Sequence, residues 1–85
     1  MEKKEFTLEE ARTIGTLLGI DWQLVDEEEF RMGLGIELEH GARDEQTDVT
    51  HSDEQLTGKI AWAHLKEISD YYTRLKKMEA EAEVK

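Results

Sequence analysis

The sequence contains no cysteine and no proline, and aromatic residues make up only 7% of it. Without cysteine the chain can form neither a disulfide framework nor a zinc or iron–sulfur site with cysteine ligands. It also lacks any apolar run near the roughly 18 residues that a membrane span requires. The N-terminal MEKKEF has none of the features of a secretory signal peptide. These absences predict a protein that neither enters a membrane nor depends on disulfides.

Basic residues are scarce as well: 11 Lys and Arg face 21 Asp and Glu, which gives a formal net charge of −10. This charge argues against direct contact with nucleic-acid phosphates and favours a basic protein partner, a metal cation or simple solubility. Hydrophobic residues amount to 38%, below the roughly 45–50% of an average globular domain. The 85 residues suit one small domain, 1–85, whose core is so small that polar residues on its apolar faces need an explanation.

The first helix is predicted from its two ends. Thr7 and Glu10 fit a capping box, so a helix should begin near Leu8, and Gly19 is a natural stop because glycine reaches positive φ without strain. Between them an apolar face recurs at helical spacing, formed by Leu8, Ala11, Ile14, Leu17 and Leu18. Residues 20–25 should form an apolar connector. Residues 1–6 read as a leader, and both 1–6 and 80–85 are expected to fray.

Further capping residues predict the remaining helices. Asp26 with Glu29 starts a helix from Glu27 to His40, which should end at Gly41. Residues 42–52 show no periodicity and many turn formers, so a loop is predicted there. Ser52 with Gln55 can cap a third helix over 53–68, and residues 69–70 either start a fourth helix or lie within a continuous one. The sequence therefore predicts an all-α fold, a compact bundle of three to four helices.

Each long helix carries one histidine and one glutamate, three residues apart, among its apolar positions. The pairs are Glu37 with His40 and His64 with Glu67. Residues at this spacing project together from a helix, and two imidazoles with two carboxylates suit zinc, iron or manganese. The competing interpretation is a hydrogen-bonded network that orders the core without metal. Both predict that the four side chains are buried or half-buried and close together, with Tyr71 supporting them.

The path of the loop decides whether the two histidines can meet. In a tight antiparallel hairpin they would lie roughly 16 Å apart along the helix axis. A loop over 42–52 could instead stretch up to roughly 36 Å and set the third helix alongside the second in the same sense. A crossed packing of the two helices would be intermediate. In the hairpin, His40 would meet a weaker metal candidate in the loop, for which capping and solvation are the simpler interpretation: Asp44, Asp48, His51 and Asp53.

Trp62 lies opposite the main apolar arc of the third helix. One interpretation packs it against Trp22 and the connector. The other leaves it exposed as an anchor for a protein partner. The sequence favours packing.

Four segments, GIDW, EEFRMGLGIELEHG, TDVT and TGKIAWAHLKEISDYYTRLKKME, resemble a group of small uncharacterised bacterial and phage proteins. The shared pattern is a Glu-His pair, a polar loop, and then Ile-Ala-x-x-His-Leu-x-Glu-x-x-x-Tyr-Tyr. The matching positions are Glu39, His40, Ile60, Ala61, His64, Leu65, Glu67, Tyr71 and Tyr72. That group often has proline before Asp-Tyr-Tyr, where this chain has Ser69, which weakens the prediction of a helix break. The resemblance implies a cytoplasmic, prokaryotic or phage context, a helical module and no assigned activity.

The leading functional hypothesis is a small non-enzymatic module whose histidine–carboxylate cluster binds a divalent transition metal, with Glu37, His40, His64 and Glu67 as ligands. The alternative is an acidic phage-type interaction protein that inhibits a basic host factor by mimicking nucleic acid, or sequesters a small ligand. A protein partner or a homo-oligomer fits either hypothesis. A hydrolase that uses metal-bound water is a third alternative, which needs an open cleft that a dimer could form.

Overall fold

The computed structural model describes residues 5–83, and within them every regular element is helical. The elements are α1 (Leu8–Leu18), α2 (Glu27–Arg43), a 3-10 turn (Glu45–Thr47), α3 (Glu54–Glu67) and α4 (Tyr71–Glu83). The predicted all-α fold is confirmed, with four α-helices in this range. No helix in the described part of the chain is both long and apolar enough to span a bilayer.

Most helix ends follow the capping residues in the sequence. The Thr7–Glu10 capping box is complete, and Gly19 ends α1 at a φ of +92°. The start of α3 is a correction, because Asp53 rather than Ser52 is the N-cap and accepts from the Leu56 amide at 2.9 Å. Ser52 instead has a positive φ of 66° and lies in the preceding turn.

The prediction that α2 ends at Gly41 is wrong, since the helix continues through Arg43. Gly41 has no positive φ and serves a different purpose. A Cβ at this position would lie 3.1 Å from Asp48 Oδ1 and 3.3 Å from Thr50 Oγ1. The glycine therefore lets the returning loop pass close to the helix. This close approach requires the absence of a side chain, not an unusual backbone conformation.

Helices α2 and α3 run in the same sense, as three successive contacts show. A Cβ on Gly58 would lie 3.3 Å from the Phe30 ring, and one on Gly33 would lie 3.0 Å from the Ala61 methyl. Further along both helices, His64 approaches Glu37. Later residues of α2 thus meet later residues of α3. Of the predicted topologies, the structure has the one in which the loop returns along α2.

Fraying is predicted for residues 1–6 and 80–85, of which the structure describes 5–6 and 80–83. Phe6 is only 2% exposed, and its carbonyl accepts a hydrogen bond from the Arg31 guanidinium at 2.9 Å. Phe6 therefore belongs to the packed core, whereas Glu5 before it is exposed. At the other end α4 remains helical to Glu83. Residues 1–4 and 84–85, for which fraying was also predicted, lie outside the described range.

The core lies where α1, α2 and α3 meet and extends under α4. Its buried apolar residues are Phe6, Ala11, Ile14, Ile20, Val25, Phe30, Leu34, Ala61, Leu65 and Tyr72. Gly15 leaves room for the Trp22 ring, which meets Phe30 edge to face with ring centroids 5.7 Å apart. Leu18, on α1, likewise contacts the backbone of α3 where Gly58 has no side chain. Small residues thus bring the first three helices close together.

Candidate functional site

One face of α2 forms a track for the side chain of Tyr72. Glu29, Gly33 and Glu37 are spaced four apart and so lie in a row along the helix. Tyr72 is fully buried, and a Cβ on Gly33 would lie 2.5 Å from its ring. The ring can lie flat on the helix because Gly33 has no side chain. We call Glu29, Gly33, Glu37 and Tyr72 the tyrosine track.

Glu29 holds one end of the tyrosine track by capping α4 from a different helix. Its Oε1 accepts from the backbone amides of Tyr72 at 3.0 Å and Thr73 at 3.3 Å, and its Oε2 accepts from the Thr73 hydroxyl. The first amides of a helix lack intrahelical partners and favour a negative charge nearby. The predicted capping box at the start of α2 is consequently only half formed. Asp26 accepts from the Glu29 amide, but the Glu29 carboxylate serves α4.

Glu37 holds the other end of the tyrosine track. The Tyr72 hydroxyl donates to Glu37 Oε2 at 2.7 Å, and Nε2 of His64 lies 3.5 Å from the same oxygen. The Glu37 side chain is 13% exposed and that of His64 is 35% exposed. Burial, followed by the hydrogen bond to Glu37, raises the pKa of Tyr72 well above its ordinary value. The phenol therefore stays protonated and acts as a donor to the carboxylate.

The His64 ring is fixed by two tyrosines. It stacks on Tyr71 with centroids 4.2 Å apart and 5° between the planes. It meets Tyr72 edge to face at 6.1 Å, and the two tyrosines are also perpendicular to each other. Tyr71, predicted to support the four side chains, contacts the His64 ring by stacking. The hydrogen bond to the carboxylate comes from Tyr72, which the sequence predicted only as part of the shared Tyr-Tyr motif and not as a site residue.

The structure separates the other two predicted ligands from this pair. His40 and Glu67 are both exposed, so the expectation that all four side chains are buried is wrong for these two. His40 lies in the last turns of α2, and Glu67 is the final residue of α3, where the chain turns towards α4. Within residues 5–83, no group of three or more histidine, aspartate or glutamate side chains is arranged to hold a metal ion.

The weaker loop candidates are occupied by local hydrogen bonds. Asp48 Oδ1 accepts from the His51 amide at 2.8 Å, and the His51 imidazole lies 3.9 Å from the other Asp48 oxygen. Asp53 caps α3, and Asp44 accepts from the Gln46 amide at the 3-10 turn. These contacts are the capping interactions that formed the simpler interpretation of the loop.

A second feature is a grooved surface between the 20–25 connector and the end of α3, which we call the connector face. One groove is lined by Gly19, Asp21, Leu24, Val25, Trp62, Leu65, Lys66, Glu67 and Ser69. A neighbouring groove is lined by Trp22, Gln23, Leu24, Val25, Asp26, Glu29, Ser69 and Asp70. Leu24 lies between them and is 78% exposed. Trp62 lines the first groove together with connector residues, and Lys66 Nζ lies over its ring at 4.4 Å. Trp22, the predicted partner of Trp62, packs on Phe30.

The fold and the polar site together define a small four-helix domain with an internal glutamate–histidine–tyrosine contact. A scan against family models matches residues 11–81 to a family described as protein of unknown function (DUF5661). The match covers most of the 85 residues, and the chain belongs to this family. The matched range includes α2, α3 and all residues of the tyrosine track. Searches of curated proteins and of solved structures find no match.

Proposed function

We propose that this chain is a non-enzymatic helical module that binds a protein partner through the connector face. The observation that carries the proposal is Leu24, which is 78% exposed between two grooves. An apolar side chain at the centre of a grooved, polar-rimmed surface is typical of protein interfaces. In this proposal the contact between Glu37, His64 and Tyr72 orders the core and carries no chemistry. A cytoplasmic location and a bacterial or phage origin belong to the same proposal.

The charge of the connector face indicates the chemistry of the partner. Its two grooves are lined by one lysine and by five acidic residues: Asp21, Asp26, Glu29, Glu67 and Asp70. Glu29 is buried and caps α4, so the other four provide the surface charge. The excess of carboxylates has the same sign as the net charge of −10. A complementary partner is a basic amphipathic helix that places apolar residues over Leu24 and lysines or arginines over the rim.

A peptide titration tests this proposal. A leucine–lysine amphipathic peptide should shift the amide resonances of 20–25 and 65–70 and the indole resonance of Trp62. Leu24→Ala should weaken binding about tenfold, the effect of one central apolar anchor. Leu17→Ala is the matched control, because Leu17 is 69% exposed and lines neither groove. Binding should also weaken with salt. Equal binding of a leucine–glutamate peptide, or no effect of Leu24→Ala, would contradict the proposal.

A second candidate function is the binding of a divalent transition metal, and the spacing of His64 and Glu37 favours it. Tetrahedral zinc with bonds near 2.0–2.1 Å holds its ligand atoms roughly 3.3 Å apart. His64 Nε2 and Glu37 Oε2 lie 3.5 Å apart, and the imidazole is partly open to solvent. These two side chains would hold the metal, with water or a second copy of the chain completing its coordination. His40 and Glu67 are exposed and are not among the ligands in this proposal.

Metal binding predicts a rise in the melting temperature when zinc, iron, manganese or nickel is added, because a ligand of the folded state stabilises it by mass action. His64→Ala should abolish the rise. His40→Ala and His51→Ala are matched controls, since both histidines are exposed, and they should retain it. If none of the four metals changes the melting temperature, or if the His40 variant loses the response as fully as the His64 variant, this second candidate is wrong.

A further inference from the structure

Helix α4 carries an apolar row beside its contact with α2. Tyr71, Leu75, Met78 and Ala82 follow one another at spacings of four, three and four residues, the heptad spacing of helices that pair side by side. Met78 is 53% exposed and Ala82 is exposed, whereas Tyr71 and Leu75 are half-buried. The second half of the row therefore has no covering element among residues 5–83. We call these four residues the α4 stripe.

The charges at the end of α4 oppose its helix dipole. The last turns of α2 and α3 carry the basic residues Arg43 and Lys66, as the partial negative charge of a helix C-terminus favours. The last turn of α4 carries Glu81 and Glu83 instead. Glu81 forms no hydrogen bond or ion pair within residues 5–83. A carboxylate at this position is unfavourable unless a positive charge lies nearby, and the described part of the chain does not supply one.

A second copy of α4 that runs in the opposite direction would supply this charge. Arg74 and Glu81 are seven residues apart and flank the same side of the α4 stripe. In an antiparallel helix pair such flanking positions face each other, so Arg74 of each copy meets Glu81 of the other. Within residues 5–83 only Nε of Arg74 is bonded, to Asp70 at 2.7 Å, and the terminal nitrogens can donate to a further carboxylate.

The apolar side chains fit the same antiparallel register. It sets Leu75 of one copy opposite Met78 of the other, and the large Tyr71 opposite the small Ala82. The two helix dipoles then point in opposite directions, so each negative helix end lies beside the positive half of its neighbour. A parallel pair would instead bring the two acidic ends together.

We propose that two copies of this chain associate through antiparallel α4 helices, with the α4 stripes packed together and two ion pairs between Arg74 and Glu81 beside them. The 13 residues of α4 span about 20 Å. Because the interface is small, the dissociation constant should lie between about 10 μM and 1 mM. The α4 stripe contains neither Leu24 nor Trp62, so the proposal does not depend on binding at the connector face.

Sedimentation equilibrium of the whole chain tests this proposal through charge reversal. The natural chain should form a reversible dimer and nothing larger. Arg74→Glu and Glu81→Arg each place like charges opposite one another and should weaken the dimer about tenfold or more. The double variant Arg74→Glu/Glu81→Arg restores both ion pairs with the roles exchanged and keeps the net charge. It should dimerise like the natural chain, and an equimolar mixture of the two single variants should form heterodimers.

Two matched controls separate this interface from other modes of association. Glu79→Arg makes the same charge change on the other side of the α4 stripe, and Leu24→Ala removes the apolar centre of the connector face. Both variants should dimerise at least as well as the natural chain. Since both Arg74 variants lose the contact with Asp70, rescue by the double variant cannot come from that contact.

Four results overturn the proposal. The first is a chain that remains monomeric at about 1 mM. The second is a double variant that dimerises no better than the single variants. The third is a dimer weakened by Glu79→Arg as much as by Glu81→Arg, which would mean that the helices pair in parallel. The fourth is a dimer lost in Leu24→Ala, which would mean that the copies associate through the connector face.

Discussion

The two helices that pack on α2 are held in different ways. Against α3, the contact is made by missing or small side chains at Gly33, Gly58 and Ala61, which let the helices approach closely. Against α4, it is made by one buried ring and two carboxylates, with Glu29 at the helix start and Glu37 at the Tyr72 hydroxyl. The first is a packing interface, and the second is a polar clamp around a single aromatic side chain.

This difference teaches how a chain with few apolar residues can add a fourth helix. Most of α4 is exposed, and Tyr72 is its only buried residue in the described range. A packing interface spreads its energy over many contacts, whereas the clamp concentrates it in a few directional hydrogen bonds. Substitutions at the clamp should therefore release α4 abruptly. The loss of stability caused by substitutions at the α2–α3 interface should depend on how well neighbouring side chains adjust.

The largest effect is expected from Tyr72→Ala. Removing a fully buried aromatic side chain typically costs about 3–5 kcal/mol, a large share of the roughly 5–15 kcal/mol that stabilises a small domain. Urea denaturation measures the loss. Tyr71→Ala is the comparison, because Tyr71 is only half-buried, and its variant should lose clearly less stability. Equal losses for both variants would contradict the distinct role of Tyr72.

Two glycine substitutions compare a fixed neighbour with an adjustable one. In Gly33→Ala the new methyl would lie 2.5 Å from the Tyr72 ring, which is fixed at both ends, so we expect a loss of about 1–3 kcal/mol. In Gly58→Ala it would lie 2.9 Å from the flexible end of Leu18, and 3.2 and 3.3 Å from Ile14 Cγ2 and the Phe30 ring. Leu18 can rotate, the other two contacts need only small adjustments, and alanine gains about 1 kcal/mol in helix propensity, so the loss should be smaller than for Gly33→Ala. A Gly33 variant as stable as the Gly58 variant would show that the ring is not held in place.

A more local effect of similar size is expected from Glu29→Ala. The variant leaves two α4 amides and the Thr73 hydroxyl without their acceptor, which should cost about 1–3 kcal/mol. Hydrogen exchange should speed up in α4 more than in α3. The neighbouring Glu28→Ala makes the same charge change at an exposed site and is the control. Equal protection of α4 in both variants would rule out capping by Glu29.

The smallest effect is expected from Arg74→Gln, and it should depend on pH. The hydrogen bond from Arg74 lowers the pKa of Asp70 below its ordinary 3.8. A lowered folded-state pKa contributes stability above the unfolded value, and this contribution disappears as the pH falls through the folded value. Arg74→Gln should thus be slightly less stable than the natural chain at pH 7, and the two melting temperatures should converge below about pH 3.8. A difference that persists in acid would show that Arg74 acts by packing.

The sequence predicted the fold well where the signal is local. Capping residues and glycine gave the start of α1, its end at Gly19 and the start of α2, because these depend on residues a few positions apart. Helical periodicity also identified Glu37 and His64 as polar residues on apolar faces. Whether the two side chains meet depends on the path of the loop, which the sequence leaves open between a hairpin, a crossed packing and a return along α2.

The remaining features depend on contacts that local patterns do not encode. Glu29 fitted a cap for its own helix, and nothing in the sequence indicated that it would cap α4 instead. In the sequence, Gly33 looks like an ordinary helix residue and Gly41 like a helix stop. In the structure, each glycine makes room for a distant segment. Helical periodicity also predicted that His40 and Glu67 face the core, but both are exposed. Each lies near the end of its helix, where fewer positions around the helix are covered by neighbours. The spacing of Glu29, Gly33 and Glu37 was the signal that could have indicated the tyrosine track.

The most direct test of the central claim is a double-mutant cycle of Glu37→Leu and Tyr72→Phe, measured by urea denaturation. If the hydroxyl and the carboxylate hold α4 on α2 as a pair, each single change removes the same interaction. The double variant should then lose less stability than the two single losses combined, with a coupling of about 1 kcal/mol or more. Losses that add within about 0.5 kcal/mol would contradict the clamp.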